Sequence, residues 1–528
     1  MSLLMAQDVR LLTEALGGSA LSQLVQRGEA PKGWVAERPA TAEAWRSHVD
    51  AVRTSFGAGW WSAIEPACAP SGAAADRMRN VVANGGVVVT TGQQPGLFGG
   101  PAYTWFKALT ALAFADAVEA ATGIPAAPVF WAATDDSDWL EASWTAVATT
   151  GGAQRLALTN RPPDDGVRLA DVPLGDVSAL LAALEEACGS VLDQRPLEAV
   201  RRTYVPTATI GSAYVALLRE LLEPLGIVVL DAAHPAMGQA AHALLVRALT
   251  RDGAIAEALA ARSEAIRAAG LEPQVIEVEG RTLVFARVQG KRERVASARA
   301  GEVAARAAPG TLSPNVLLRP IVERVLLPTV AYMAGPGELA YFAQVSAVAE
   351  ALDVPSPLAL PRWSATIVEP SIATLLEAHG LTPADFADPH AVESRFARAA
   401  WPPPVSREYA RLREALQERL ASLREAIEST NAPVPPSVLD GVGRELEWRL
   451  RRLERRITAG MKRRETRLLT ELATLRGALY PFGARQERVL NLVPVLSRHG
   501  LDLLERLRDE AGHHARALIG ATARASAP

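Results

Sequence analysis

The chain is almost without lysine. Of 55 basic residues in 528, lysine stands only at Lys32, Lys107, Lys291 and Lys462, and arginine supplies the rest. Cysteine is scarce as well: Cys68 and Cys188 lie far apart with no CxxC spacing, which excludes a disulfide framework and a cysteine-ligated zinc site. Eight histidines are scattered without an HExxH pair, and the adjacent His513 and His514 read as a solvated helix face. No charge excess exists either. The net charge is −3, which gives no basic footprint for nucleic acid and no acidic tail. No apolar run is long enough to span a membrane, since the best candidate, Tyr103 to Val118, is broken by Lys107 and Asp116. The start, MSLLMAQDVRLLTEAL, has neither a basic opening nor an unbroken apolar stretch. It is expected not to be a secretory signal, and a cytoplasmic protein is expected. What remains is an ordinary globular balance, 49% hydrophobic and 21% charged, with length for three to four domains of roughly 150 residues.

Two regimes meet near Trp401-Pro402-Pro403-Pro404. Before it, short apolar runs lead into polar or glycine-rich loops and then into helices. Val87-Val88-Val89 precedes TTGQQPGLFGG and a helix from about Tyr103 to Ala121. Pro128 to Trp131 precedes ATDDSD, Ile227 to Leu230 precedes DAAHP, and Thr329 to Met333 precedes AGPGE and a helix to about Leu352. This alternation predicts a parallel sheet covered by helices on both faces, with ligands beyond the carboxyl ends of its strands. Two stretches interrupt it. Residues near 150–205 read as loop-rich, with a turn at Pro162 to Gly166. The stretch Val275 to Val288 alternates like a strand pair turning at Glu279-Gly280.

After the break, Tyr409, Leu412, Leu416, Leu420, Leu423 and Ile427 recur at three- and four-residue steps. The loop NAPVPPS from Asn431 interrupts them, and Leu446, Leu450, Leu453, Ile457, Met461, Leu468, Leu472 and Leu475 resume. The spacing predicts an antiparallel helical hairpin of coiled-coil type, with a stripe that must be buried against itself or a second chain. Arg449, Arg451, Arg452, Arg455 and Arg456 read as its solvated flank rather than as an RNA surface.

Three stretches can carry chemistry. The loop Thr90 to Pro101 is neither a Walker A nor a GxGxxG loop, yet a glycine-rich strand-to-helix loop suits an anion. Tyr103, Thr104 and Lys107 follow in the first two helical turns; Lys107 either binds phosphate or carboxylate or merely snorkels beside a tight turn. Thr134-Asp135-Asp136-Ser137-Asp138 with Glu141 crowds four carboxylates into seven residues. Such a cluster holds an ammonium, coordinates Mg²⁺ or serves as a base, unless it is only an exposed turn and cap. The third runs from Arg319 through Gly335-Pro336-Gly337-Glu338 to Tyr341, with Arg362 and Ser364 beyond. There Glu338 suits a helix start and Arg319 can pair with Glu323 one turn on. Asp231 and His234 in DAAHP read as packed or capping residues, and neither cysteine carries a nucleophile signature.

TGQQPGLFGGPAYTWFKAL, PVFWAATDDSDWLE, SPNVLLRPIVERVLLPTVAYMAGPGELAYFAQ and LPRWSAT occur in the order seen in the BshC family, the proteins assigned as cysteine ligases of bacillithiol biosynthesis. Shorter matches occur at GIVVLDAAHP, GLEPQV and YPFGARQERVLNLVPVLSRHGLDLL, so the resemblance runs from about residue 85 to near 505. It implies a Rossmann-like core with two connecting insertions and a C-terminal antiparallel coiled coil that mediates homodimerisation. On this reading residues 1–400 form the core, with insertions near 150–205 and 255–315. Residues 401–480 form the hairpin, and 481–528 form a helical segment returning to the core.

The implied activity adds cysteine to glucosaminyl-malate as the last step of bacillithiol biosynthesis, forming an amide with the sugar amine. ATP is the obvious activator of the carboxyl group, with Mg²⁺ as its companion. Lys107, Asp136, Asp138 and Glu141 are the expected catalytic residues. Gln93, Gln94, Gly99, Gly100, Tyr103, Thr104, Arg319, Glu338, Tyr341 and Arg362 are the expected substrate-binding residues, and no metal ligands are assigned. The chain departs from the family where GEDHD is usual, having Asp135 for the glutamate and Ser137 for the histidine. It also has Ser143-Trp144 for an Asn-His pair, and His234 where aspartate is favoured. Two alternatives therefore stand beside the ligase: a nucleotide-dependent ligase for another amine or acid, and a catalytically silent, metabolite-binding dimeric relative.

Overall fold

The computed structural model describes residues 8–57, 59–162, 166–388, 391–399, 401–430, 433–462 and 466–520. Two compact units divide the chain. One comprises Val9–Val147, Gln154–Val368 and the segment from Gln486 onward; the other is built mainly from Glu369–Arg485.

The first unit is organised by a five-stranded parallel sheet. Its spatial order is Ala359–Pro361, Thr329–Ala334, Val87–Gln93, Ala126–Ala132 and Val228–Asp231. The strands read as continuous apolar runs because both faces are covered. Side-chain alternation still sorts them: Val87, Val89 and Phe130 enter one core, while Val88, Val129 and Trp131 enter the other. Burying each such side chain contributes about 1.5–3 kcal/mol. The helix Ala102–Thr122 is buried on nearly every face and is wedged against the helix Asp502–Ile519, where Arg508 reaches Asp116 at 2.8 Å. The chain steps from Val87–Gln93 outward to Val228–Asp231. It then crosses to place Thr329–Ala334 on the other side of Val87–Gln93. That reversal opens a crevice at the carboxyl ends of these two neighbouring strands.

Two local readings need correction. The stretch near 150–205 is not chiefly loop: it carries helices Ser178–Cys188 and Arg195–Thr203, whose apolar residues Leu184, Leu197 and Val200 are buried. The dense polar turns around them obscured the helical period. The expected turn there lies in part outside the described residues, at 163–165. The strand pair is real but turns elsewhere. Arg281–Val288 pairs antiparallel with Lys291–Ala296, so the reversal falls at Gln289-Gly290, not at Glu279-Gly280. Gln289 and Gly290 have φ of 49° and 82°, the left-handed pair that a tight hairpin needs. Leu312–Pro314 completes this small sheet, and Val275 is held instead by both amide atoms of Gln344.

In the second unit, Pro403–Ser429 and Pro436–Lys462 are 27-residue helices. Their contacts run antiparallel: the Tyr409 hydroxyl donates to the Leu450 carbonyl at 3.2 Å, Arg413 pairs with Glu447 at 2.6 Å, and Arg424 pairs with Asp440. The first two residues of the connecting loop, Asn431 and Ala432, lie outside the described residues. No described helix is long and apolar enough to cross a membrane.

Candidate active site

A cleft of about 700 Å³ opens beyond the strand ends at the topological reversal. Its floor begins at Gly92, where an added Cβ would sit 2.7 Å from the Trp131 carbonyl oxygen, so the strand can end this tightly only with glycine. The Gly92 carbonyl accepts a hydrogen bond from Lys107 Nζ. The same ammonium donates to Glu338 Oε2 at 2.7 Å and to Gln93 Oε1 at 3.3 Å. Three acceptors use its three protons. Burial pulls the ammonium below its ordinary range, and Glu338 offsets this in part. Glu338 lies at the third position of the helix Pro336–Ala351 and also accepts from the Gly335 N–H and the Tyr332 hydroxyl. Burial works to raise its carboxyl, but Lys107 and these donors outweigh it and hold the group below the usual carboxylate value. Lys107 is thus a buried organiser of Gln93 and Glu338 rather than a free ammonium offered to a phosphate.

The glycine loop departs further from expectation. Gly99 and Gly100 are buried, and their N–H groups donate to the carbonyls of Gly96 and Leu97 at 3.1 Å each. Asn491 donates to the Phe98 carbonyl at 2.9 Å, and the Tyr204 hydroxyl donates to the Gly96 carbonyl at 3.2 Å. The loop is sealed from behind, with Phe98 itself held at φ 54°. Gly99 and Gly100 therefore form no anion cradle; their N–H groups are already spent inside the turn.

The acidic loop divides. Asp138 is exposed and caps the short helix Trp139–Ala142 by accepting from the Glu141 N–H at 3.0 Å, and it does not line the cleft. Asp135, Asp136 and Glu141 do line it. Asp136 accepts from the Ser137 N–H at 2.7 Å and from Arg292 at 3.3 Å. Burial raises the carboxyl of Asp135, with Arg292 opposing. Glu141 is raised by partial enclosure first and by Asp138 and Asp136 next. Its Oε1 lies 3.3 Å from Gln93 Nε2 and 3.5 Å from the Tyr103 hydroxyl, and Gln93 also donates to Tyr103 and Gln94.

The same cleft is also lined by cations. Arg319 pairs with Glu323 at 2.8 Å and lies over the Tyr332 ring, with Tyr341 beside it. Arg362 is buried and bidentate to Glu487 at 2.7 and 2.8 Å. Arg292 and Arg294 come from the small antiparallel sheet, and Arg488 comes from the C-terminal segment. Of the expected residues, the structure gathers Gln93, Gln94, Tyr103, Lys107, Asp136, Glu141, Arg319, Glu338, Tyr341 and Arg362 around one cleft. It leaves out Gly99, Gly100 and Asp138, and it places Thr104 in an adjoining pocket. Sequence reading counted Asp135 in the acidic cluster without giving it a role, and it missed Arg292, Arg294, Tyr332 and Arg488. Only the ARQER run around Arg488 carried a signal, as part of a family-like stretch. Among the described residues no group of three or more His, Cys, Asp or Glu side chains is assembled to hold a metal.

Residues 65–363 match the family model described as bacillithiol biosynthesis BshC, N-terminal Rossmann-like domain. Residues 365–517 match its companion, the BshC C-terminal coiled-coil domain. A protein of Solibacter usitatus named "Putative cysteine ligase BshC" is 32% identical over 441 residues, covering 80% of this chain and 82% of its own length. Proteins of the same name from Koribacter versatilis and Heliobacterium modesticaldum are each 31% identical, with 84% and 83% of this chain covered and 85% and 83% of their own lengths. A Rossmann-like domain built on a five-stranded parallel sheet, followed by a coiled-coil domain, is thus shared along most of the sequence, and the chain belongs to the BshC family of bacillithiol biosynthesis.

Proposed function

We propose that the protein is a cysteine ligase that joins the carboxyl of cysteine to the sugar amine of glucosaminyl-malate, the last step in making bacillithiol. One observation carries this reading. The carboxylates Asp135, Asp136 and Glu141 and the arginines Arg292, Arg294, Arg319 and Arg488 line one cleft. A lining of both signs suits a substrate that carries both an amine and carboxylates.

Amide formation requires an activated carboxyl, and an adenine nucleotide with Mg²⁺ as its companion is the co-substrate proposed to supply it. The described residues do not assemble a metal cage, so no step is assigned to a metal. The sugar amine attacks the cysteine carboxyl carbon. A C–N bond forms, the C–O bond to the leaving group breaks with its electron pair, and the amine proton passes to a carboxylate. Glu141 is the base proposed for that proton, because its raised pKa brings it nearer to neutrality. Arg292 and Arg319, which line the cleft, stabilise the charge that develops on oxygen. The hairpin is proposed to join two copies into a cytoplasmic homodimer.

The test is a thiol inventory. The gene is deleted in the native organism and extracts are labelled with a thiol-reactive fluorophore. Loss of one low-molecular-weight thiol, with accumulation of its amino-sugar precursor, supports the ligase. An unchanged profile sinks it and favours a different amine or acid.

A further inference from the structure

A second cavity, of about 150 Å³, opens beside the main cleft between Gln94, Tyr103, Thr104, Glu141, Trp144 and Arg488. It falls below the several hundred Å³ of a site for a drug-sized ligand, so it suits a small acid group rather than a nucleotide.

Its cation is unusual among those around the cleft. Lys107 is committed to Glu338, Arg292 to Asp136, Arg319 to Glu323 and Arg362 to Glu487, and Arg294 donates to the Thr282 carbonyl. Among the described residues Arg488 has no ion pair and no hydrogen bond; its guanidinium only stacks over the Tyr103 ring, 5.7 Å from the centroid. Yet the backbone that presents it is tightly fixed. Gln486 pairs its amide with both the N–H and the carbonyl of Ile367, each at 2.8 Å, and Glu487 is locked to Arg362. An exposed guanidinium with unused donors, carried on a fixed backbone, is available to a planar oxyanion.

A second, independent feature points the same way. The Thr104 hydroxyl is buried (1% exposed), lines this pocket, and faces the Tyr214 hydroxyl; among the described residues neither has a further partner. With Tyr214 donating to it, the Thr104 hydroxyl still has its own proton to give to a ligand oxygen. Glu141 stands at the mouth shared with the main cleft, where an ammonium would be welcome and a second anion would not.

We propose that this side pocket holds the dicarboxylate end of the amino-sugar substrate, with Arg488 as its cationic clamp and the Thr104 hydroxyl as a donor. The identity of that substrate rests on the ligase reading above. A conjugate anchored this way turns its amine toward Glu141, which is where that reading needs it. Trp144 forms one wall, so a bulky aromatic occupies the position where the family usually has histidine.

The test is calorimetric titration of the full-length protein with malate, dimethyl malate and inorganic phosphate, using wild type, Arg488→Gln and Thr104→Val. Arg488 is exposed, so its substitution leaves the fold intact, which circular dichroism checks. Malate should bind wild type and dimethyl malate should not. Arg488→Gln should weaken malate by about tenfold or more, the scale of a lost charge-assisted hydrogen bond. Thr104→Val should weaken it less. In steady state, Arg488→Gln should raise KM for glucosaminyl-malate and leave KM for cysteine unchanged. Equal malate binding by wild type and Arg488→Gln overturns the proposal, as does no binding by wild type. An Arg488-dependent phosphate site with an altered nucleotide KM alone overturns it too. Arg488-dependent malate binding in an enzyme that forms no amide keeps the pocket and discards the ligase reading.

Discussion

The two compact units treat apolar side chains in opposite ways. In the βα unit, the helix Ala102–Thr122 and the strands beside it disappear into the chain's own interior, with Phe106, Leu109 and Phe114 fully buried. In the hairpin, the helix Pro403–Ser429 buries no residue at all, and Leu412, Leu423 and Leu453 stay 42–50% exposed. Both stretches are rich in leucine and alanine. The difference is the width of the apolar face. An all-round apolar helix finds cover on every side, whereas a stripe one or two residues wide leaves its margins open when it meets only one partner helix. The first unit therefore covers its own apolar surface, while the second leaves apolar surface exposed, as the proposed dimer requires.

Four outcomes would break or sharpen this contrast. The largest effect is expected from Lys107→Ala. It strands Glu338 in the interior, so ligation should fall by at least about 100-fold and stability by about 3–5 kcal/mol, while association through the hairpin persists. Activity assays and urea titration measure the two. Because the Glu338 carboxyl is depressed, its contribution to wild-type stability is present above the ordinary carboxylate pKa and is lost as pH falls through the depressed value. The variant's stability should be flatter over that acid window. Retained activity would mean that the lysine merely fills space.

Glu487→Ala comes next. It leaves the Arg362 guanidinium unpaired at 1% side-chain exposure, and should cost about 3–5 kcal/mol by urea unfolding, with activity lost only secondarily. A loss under about 1 kcal/mol, the range of exposed pairs, would show that this pair is solvated in solution.

Glu141→Gln should lower kcat by about 100-fold with little change in stability. With its pKa raised, Glu141 ionises only above the usual carboxylate range. The acid limb of the wild-type kcat profile should therefore sit above that range and vanish in the variant. An unchanged limb would assign the base elsewhere, with Asp135 as the next candidate.

The smallest effect on folding is expected from Leu423→Glu combined with Leu453→Glu. Light scattering should report monomers and urea unfolding of the core should barely move. A dimer that survives would place the contact outside the hairpin stripe. Truncation before Tyr409 would test the same point poorly, because it also removes Leu503, Leu504 and Leu507, which belong to the buried core of the first unit.

Much of the architecture was legible in the residues because it is local. Continuous valine runs ending in glycine-rich loops announced the parallel sheet, and three- and four-residue leucine steps announced the hairpin. The Arg319–Glu323 pair was legible for the same reason, being one helical turn apart. The site was less legible. Nothing near Gly99 reveals that Asn491 and Tyr204 close its loop, and nothing near Asp138 distinguishes a cap from a base until Glu141 is seen to donate to it. Arg292 and Arg294 read as ordinary hairpin charges until the small sheet carries them to the cleft.

By itself, then, the sequence determined the alternation of strand and helix, the hairpin and the family, since periodicity and contiguous motifs need no distant partner. Tertiary structure alone decided which charges are spent and which remain available. Lys107 meets Glu338 across 231 positions and Arg362 meets Glu487 across 125, while Arg488 meets no carboxylate among the described residues. A side chain's chemistry is set by the groups within a few ångströms of it, and in a parallel α/β fold those groups come from remote parts of the chain.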